Sequence, residues 1–218
     1  MSKQQYAYMM IREGIISGRF GPDHRLVLDE LSRELSVSTV PVREAIRRLE
    51  AEGLVHFEPN VGPRVTTLDA REFDAVMRVL ALLEGYATAC AAEHVDAGTI
   101  EAARVLNERM RVAVAANTAL LVSRLNREFH TMLHDECRNA HLLTLLGQTW
   151  TRLDVIRSSV FLYIPLRGLT SVEEHEQLLG LIERAADASE IETFVRDHEI
   201  RTAEAFAQHQ REAVTGEP

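Results

Sequence analysis

The chain has 218 residues, 46% of them apolar and 26% charged, with a formal net charge of −9. That is length for two modest domains, and the apolar share is that of a globular chain. The opening run MSKQQYAYMM holds neither a secretory leader nor a membrane span, and Cys90 and Cys137 read as reduced thiols, so a cytoplasmic protein with no membrane partner is expected.

The charge is unevenly spread. Of the 24 Lys and Arg and 33 Asp and Glu, residues 1–68 hold nine of each, which leaves 15 basic and 24 acidic groups for 69–218. Any nucleic-acid affinity of the first part must therefore rest on where its arginines stand, not on bulk charge.

In chain order, residues 4–17 predict a helix with Tyr8, Ile11, Ile15 and Ile16 as its apolar face, followed by a turn at Gly18–Asp23. Asp29 is the expected N-cap of a short helix whose core residues are Leu31 and Leu35. Ser38 is the expected N-cap of the next helix, with Pro41 in its first turn. On that helix Val42, Ile46 and Leu49 recur at helical spacing, while Thr39, Arg43 and Arg47 recur on a different face. Gly53 ends it. A strand over LVHFEP, a tight turn at Asn60–Pro63 and a return strand over RVTTL follow. Two short helices, the second with a basic stripe, and then a hairpin form the layout of a winged helix-turn-helix. Two arginines on a helix are also what any solvated face carries; the short helix before them favours the DNA reading.

A boundary is expected near Leu68-Asp69, giving a winged domain over 1–67 and a second domain over 68–218. Asp69 is the expected cap of a long helix over about 69–94, with Phe73, Val76, Leu80, Leu83, Ala87 and Cys90 on its apolar face. Further helices are expected over about 97–116, 119–136, 140–161, 171–186 and 189–211. The run Ile164–Gly168 is read as a break, Ser171 and Glu174 as a capping box opening the helix after it, and VTGEP as a disordered tail. The fold class is thus mostly α: a winged helix-turn-helix with a small β wing, then an all-α bundle of about six helices.

Inside the bundle, Asn126 and His130 lie four apart on one helix face, His175 on the next-to-last helix and His198 midway along the last. Three imidazoles and an amide oxygen from three helices could converge on a divalent metal. The chain has nine histidines, and any lone one is more often structural or at the surface, so spacing alone is a weak argument for a metal.

The run DELSRELSVSTVPVREAIRRLEAEGLV resembles the DNA-binding domain of the GntR family of bacterial transcription regulators, through Ser38, Pro41, Val42, Arg43, Glu44, Ala45, Leu49, Glu52, Gly53, Leu54 and Val55. Asp23 and Thr39 depart from the usual Gly and Arg. The second part resembles the helical FCD ligand-binding domain of the FadR-type branch, through Leu125–His130, Asn139, Leu142-Leu143, Glu174–Glu176, Ile182 and His198. The resemblance implies a homodimer on palindromic double-stranded operator DNA. It implies that Ser38, Thr39, Arg43 and Arg47 face the major groove, and that Gly62 and Arg64 at the wing approach the minor groove. It further implies a divalent metal, zinc or nickel, on Asn126, His130, His175 and His198, with Asn126 where an aspartate is commonest.

A small organic acid is the effector so implied. The arginine common four residues before the glutamate matching Glu84 is Leu80 here, so Arg78 or Arg152 is expected to serve, with His134 lining the pocket. The expectation is a metabolite-responsive regulator and no enzyme. The competing reading is a helical metal-dependent enzyme with a DNA-binding appendage; its only general-base candidates, Glu128 and Glu174, belong to no recognisable catalytic motif.

Overall fold

A computed structural model describes residues 2–16, 19–21, 23–66, 70–156 and 160–215. These fall into two compact units, one up to residue 66 and one from residue 70 to Glu212. The expected domain boundary, the Asp69 cap and most of the expected disordered tail lie outside the described residues, although Val214 and Thr215 are helical.

The first unit opens with α1 (Lys3–Ile16), whose Tyr8, Ile11 and Ile15 are buried. Next come α2 (Leu28–Glu34) and α3 (Thr39–Ala51). The expected cap of α2 is displaced: Val27 takes the N-cap position and Asp29 sits in the first turn, where its charge still suits the helix N-terminus. Ser38 does hold the N-cap position of α3 with extended backbone, but its side chain makes no capping hydrogen bond. Val42, Ala45, Ile46 and Leu49 bury the inner face of α3, and Gly53 takes a left-handed φ of 73° beyond it.

The wing is β1 (Val55–Glu58) and β2 (Gly62–Val65), paired antiparallel with Val55 opposite Val65 and Glu58 opposite Gly62. The return strand therefore starts two residues earlier than expected. The turn itself is tighter, because Asn60 and Gly62 both take positive φ, 64° and 109°. Tyr8 ties α1 to α3: its hydroxyl donates to the Glu52 carboxylate at 2.8 and 2.9 Å, and the Arg48 guanidinium lies 3.7 Å over its ring.

The second unit is helical among the described residues: α4 (Ala70–Ala92), α5 (Ala97–Ala115), α6 (Ala119–His134), α7 (Ala140–Ile156), α8 (Val160–Tyr163), α9 (Pro165–Glu183) and α10 (Ala188–Thr215). One expectation holds only in part. The chain does break at Ile164, the non-helical N-cap between α8 and α9, but Pro165–Gly168 are already helical: Pro165 is the first residue of α9, and Ser171 sits buried inside that helix rather than capping it. Proline lacks only the N–H that a helix start leaves unpaired, so it opens the helix without loss. α4 is long and apolar enough to cross a membrane by length and composition, yet half of its most apolar window is buried inside the protein. Gly85 brings α4 within touching distance of α10: a Cβ there would stand 2.8 Å from the Glu192 carbonyl oxygen. A core of Ala103, Phe129, Leu133, Leu179, Ile191 and Val195 packs α5, α6, α9 and α10 together.

Candidate metal centre and nucleic-acid interface

On α3 the buried stripe fixes which side chains face outward. Arg43 and Arg47 are exposed, as is Ser38, and Thr39 is half-buried. Arg48, the third arginine of the helix, is instead drawn back to Tyr8 and Glu52. Two guanidinium groups one turn apart can meet phosphates or guanine edges in a major groove. On the wing, Gly62 stands at the strand end, but Arg64 does not project freely. Its guanidinium is bound to Glu58 Oε2 at 2.5 Å, the Asp23 carbonyl at 2.8 Å and the Asp23 carboxylate at 3.3 Å.

In the second unit the fold draws His130, His175 and His198 together from α6, α9 and α10, all buried, with one ligating atom of each within 4.8 Å of the others. Each ring is held from behind. His175 Nδ1 donates to Asn107 Oδ1 at 3.0 Å, and Asn107 is fixed in turn by donating to the Val172 carbonyl at 2.9 Å. The His175 ring also stacks on Phe129, 3.9 Å between centroids and 11° between planes. His198 Nδ1 donates to Glu174 Oε2 at 2.6 Å. Arg167 in the first turn of α9 braces both, donating to Glu174 at 2.6 Å and the His198 carbonyl at 2.8 Å. His130 Nδ1 meets Glu84 Oε2 at 2.7 Å, and the other Glu84 oxygen accepts from Trp150 Nε1, also at 2.7 Å.

Every Nδ1 is thus committed to an acceptor, which leaves the Nε2 atoms to face the centre. Second-sphere acceptors that fix the tautomer are the usual support of imidazole ligands. Burial pushes the His175 and His198 imidazoles well below their ordinary pKa, and the neighbouring His130 and Arg167 charges push the same way. They stand in the neutral form a metal requires. Glu84 is held below the ordinary carboxylate range: burial alone would raise it, but the His130 beside it outweighs that.

The residues fit a divalent ion. His175 Nε2 and Asn126 Oδ1 are buried without a hydrogen-bond partner among the described residues, and both belong to the expected ligand set. Unpartnered buried polar atoms are rare enough to require a reason.

His134, a turn beyond His130, is buried with Nε2 3.8 Å from Glu84 Oε1, so it borders the cluster. Arg78 and Arg152 do not. Arg78 is exposed and bonded to Asp74 one turn away at 2.8 Å, and Arg152 is exposed and paired with Glu72. Their expected place at an effector pocket is corrected for a simple reason: on α4 and α7 they point away from the faces that carry Glu84 and Trp150. A cavity of about 970 Å³ is a groove between α5 and α6 whose lining includes Arg124, Glu128 and Met132 but none of the cluster. As for the general-base candidates, Glu128 lies 3.5 Å from Arg124 at the surface, and Glu174 accepts from Arg167, Arg201 and His198.

Sequence reading gave no role at the centre to Glu84, Asn107, Arg167 or Glu199. Only Glu84 carried a usable mark, an acid within the apolar face of α4 between Leu80 and Ala87.

Comparison with known proteins agrees with this layout. The family of bacterial regulatory proteins called gntR matches residues 3–65, and the FCD domain matches residues 75–213. The HTH-type transcriptional regulator YdhC of Bacillus subtilis (strain 168) is 30% identical over 140 residues, 64% of this chain; the match spans 62% of that relative's length. The HTH-type transcriptional repressor GlaR of Escherichia coli (strain K12) is 26% identical over 203 residues, 88% of this chain and 90% of its own. A crystal structure of a GntR family transcriptional regulator from Pseudomonas syringae pv. tomato superposes with a TM-score of 0.55 at 28% identity, covering 97% of this chain and 89% of that one. These families and relatives are regulators of transcription and not enzymes. The chain belongs to the GntR family of bacterial regulatory proteins and is a transcriptional regulator that carries an FCD domain.

Proposed function

We propose that the chain is a cytoplasmic, metabolite-responsive repressor that binds a palindromic operator as a homodimer through its winged domain. The observation that carries this reading is the division of α3 into a buried stripe, Val42, Ile46 and Leu49, and an exposed pair, Arg43 and Arg47. A unit with no net charge makes few phosphate contacts, so two copies on a two-fold site give the affinity that one lacks. Ser38, Thr39, Arg43 and Arg47 face the major groove. Gly62 approaches the minor groove, and Arg64 stiffens the wing through Glu58 and Asp23. Repression is supported by the relative named as a transcriptional repressor.

The second domain, residues 68–218, holds the dimer contact and the effector site. His130, His175 and His198, with Asn126, hold a divalent ion, zinc or nickel being the most suited to imidazole. Bound there, the ion supplies an open Lewis-acid position for one carboxylate oxygen of a small organic acid. His134 lines that space. Effector binding favours one spacing of the two DNA-reading heads over another, and only this difference in affinity can switch the protein.

The test is selection of binding sites from random double-stranded oligonucleotides, followed by mobility-shift titration. Enriched sites are expected to be inverted repeats. Arg43→Ala is expected to lose operator binding while its circular dichroism spectrum stays that of the parent. Undiminished affinity in that variant, or no enrichment at all, would overturn the reading.

A further inference from the structure

We infer that Glu199 is itself a ligand of the metal centre, supplying one carboxylate oxygen beside the three imidazoles. This rests on the reading of the histidine cluster as a metal centre. Glu199 follows His198 on α10 and is buried, only 2% exposed. Its Oε1 lies 3.5 Å from His130 Nε2 and 3.7 Å from His198 Nε2, the nitrogens that face the centre. Both separations are long for a hydrogen bond. They match the edge of a coordination shell: donors about 2.0–2.2 Å from zinc stand roughly 3.3–3.6 Å apart at the tetrahedral angle and roughly 3.5–3.8 Å apart at the 120° of an expanded, five-coordinate shell.

The other carboxylates nearby are turned elsewhere. Glu84 is engaged by Trp150 Nε1 and His130 Nδ1, on the outer side of the ring. Glu174 is engaged by Arg167, Arg201 and His198 Nδ1. Glu199 is the one of these three whose oxygen is placed against the Nε2 atoms of both His130 and His198.

Charge points the same way. Three neutral imidazoles and the Asn126 amide give a buried dication no negative ligand; the Glu84 and Glu174 carboxylates balance it only from behind the rings, and a buried charge is best stabilised by a close partner. The Glu199 carboxylate supplies the missing charge from α10, where Asn126 on α6 does not. Sequence spacing hides it, because adjacent helical residues point about 100° apart. Only a centre set against the flank of α10 lets His198 and Glu199 reach it together.

The experiment uses full-length protein stripped with chelator, then titrated with zinc against a chromophoric competitor and with cobalt(II) by absorption spectroscopy. E199Q is expected to bind zinc at least 100-fold more weakly and to change the cobalt bands. N126D/E199Q, which returns a carboxylate from α6, is expected to recover most of the affinity. His175→Ala serves as the control for the centre itself. If E199Q binds as the parent does while His175→Ala does not, Glu199 is no ligand and the centre stands. If His175→Ala also binds as the parent does, there is no metal centre, and the Glu199 assignment falls with it. A crystal structure of the zinc-loaded parent needs no variant: a Glu199 oxygen about 2.0–2.2 Å from the ion is expected, and one beyond the coordination shell overturns the assignment.

Discussion

Asn107 shows how much a single side chain arranges without touching the centre. Its amide N–H donates to the Val172 carbonyl and its oxygen accepts from His175 Nδ1, so the amide cannot flip without losing both bonds. That fixes the His175 tautomer and leaves the Nε2 lone pair facing inward. Removing such outer partners usually costs 10–100-fold in metal affinity. Asn107→Ala should therefore weaken zinc binding by about 10–100-fold, whereas Asn107→Asp, which keeps an acceptor for Nδ1–H, should bind close to the parent level. A competition titration reads this directly, and equal affinity for parent and alanine variant would remove Asn107 from the account. The arginines of α3 make the same point differently. All three stand exposed within six positions, yet the Arg48 guanidinium is turned back onto Tyr8 and Glu52, which leaves Arg43 and Arg47 as the pair proposed to face DNA.

Among the elements, α4 and α10 meet at a contact that allows no side chain. An alanine at position 85 would add about 1 kcal/mol of helix propensity, but its methyl would press on the Glu192 carbonyl at 2.8 Å, which is helix backbone and moves only with all of α10. Overpacking of this kind typically costs 1–3 kcal/mol. Gly85→Ala should therefore lower the melting temperature of the chain despite the better propensity. A variant as stable as the parent in calorimetry would show that the two helices slide apart freely. Because α4 carries Glu84 and α10 carries His198 and Glu199, the same variant should also weaken zinc binding. Pro165 belongs at this scale as well. By opening α9 at that position it makes Arg167 a first-turn residue, from which it reaches Glu174 and the His198 carbonyl.

For the whole molecule, the proposed dimer needs a surface. Val79, Leu82 and Tyr86 recur along the outer face of α4, 49%, 57% and 50% exposed. This apolar stripe lies opposite the buried face that carries Phe73, Leu80 and Glu84. A second copy of the chain is the partner that the operator argument requires. Leu82→Glu should shift the protein from dimer to monomer in sedimentation equilibrium and weaken operator binding at least tenfold, with metal content unchanged. A variant that remains dimeric would place the contact elsewhere.

Local pattern was enough for the reading head. The amphipathic stripe of α3, the glycine after it and the Asn-Val-Gly-Pro turn of the wing are properties of neighbouring residues, and helical periodicity alone assigns Val42, Ile46 and Leu49 to the inside. The order of the histidines along the bundle was equally open to inspection. Tertiary structure decided the rest. Which imidazoles meet, which nitrogen each presents, and which carboxylates stand behind or beside them depend on α4, α5, α6, α9 and α10 packing against one another, across separations such as 68 residues between Asn107 and His175 and 69 between His130 and Glu199. It also turned Arg78, Arg152 and Arg64 into partners of nearby acids. Spacing gives the face on which a residue lies, but not what that face will meet, because the meeting is fixed by the packing of distant segments.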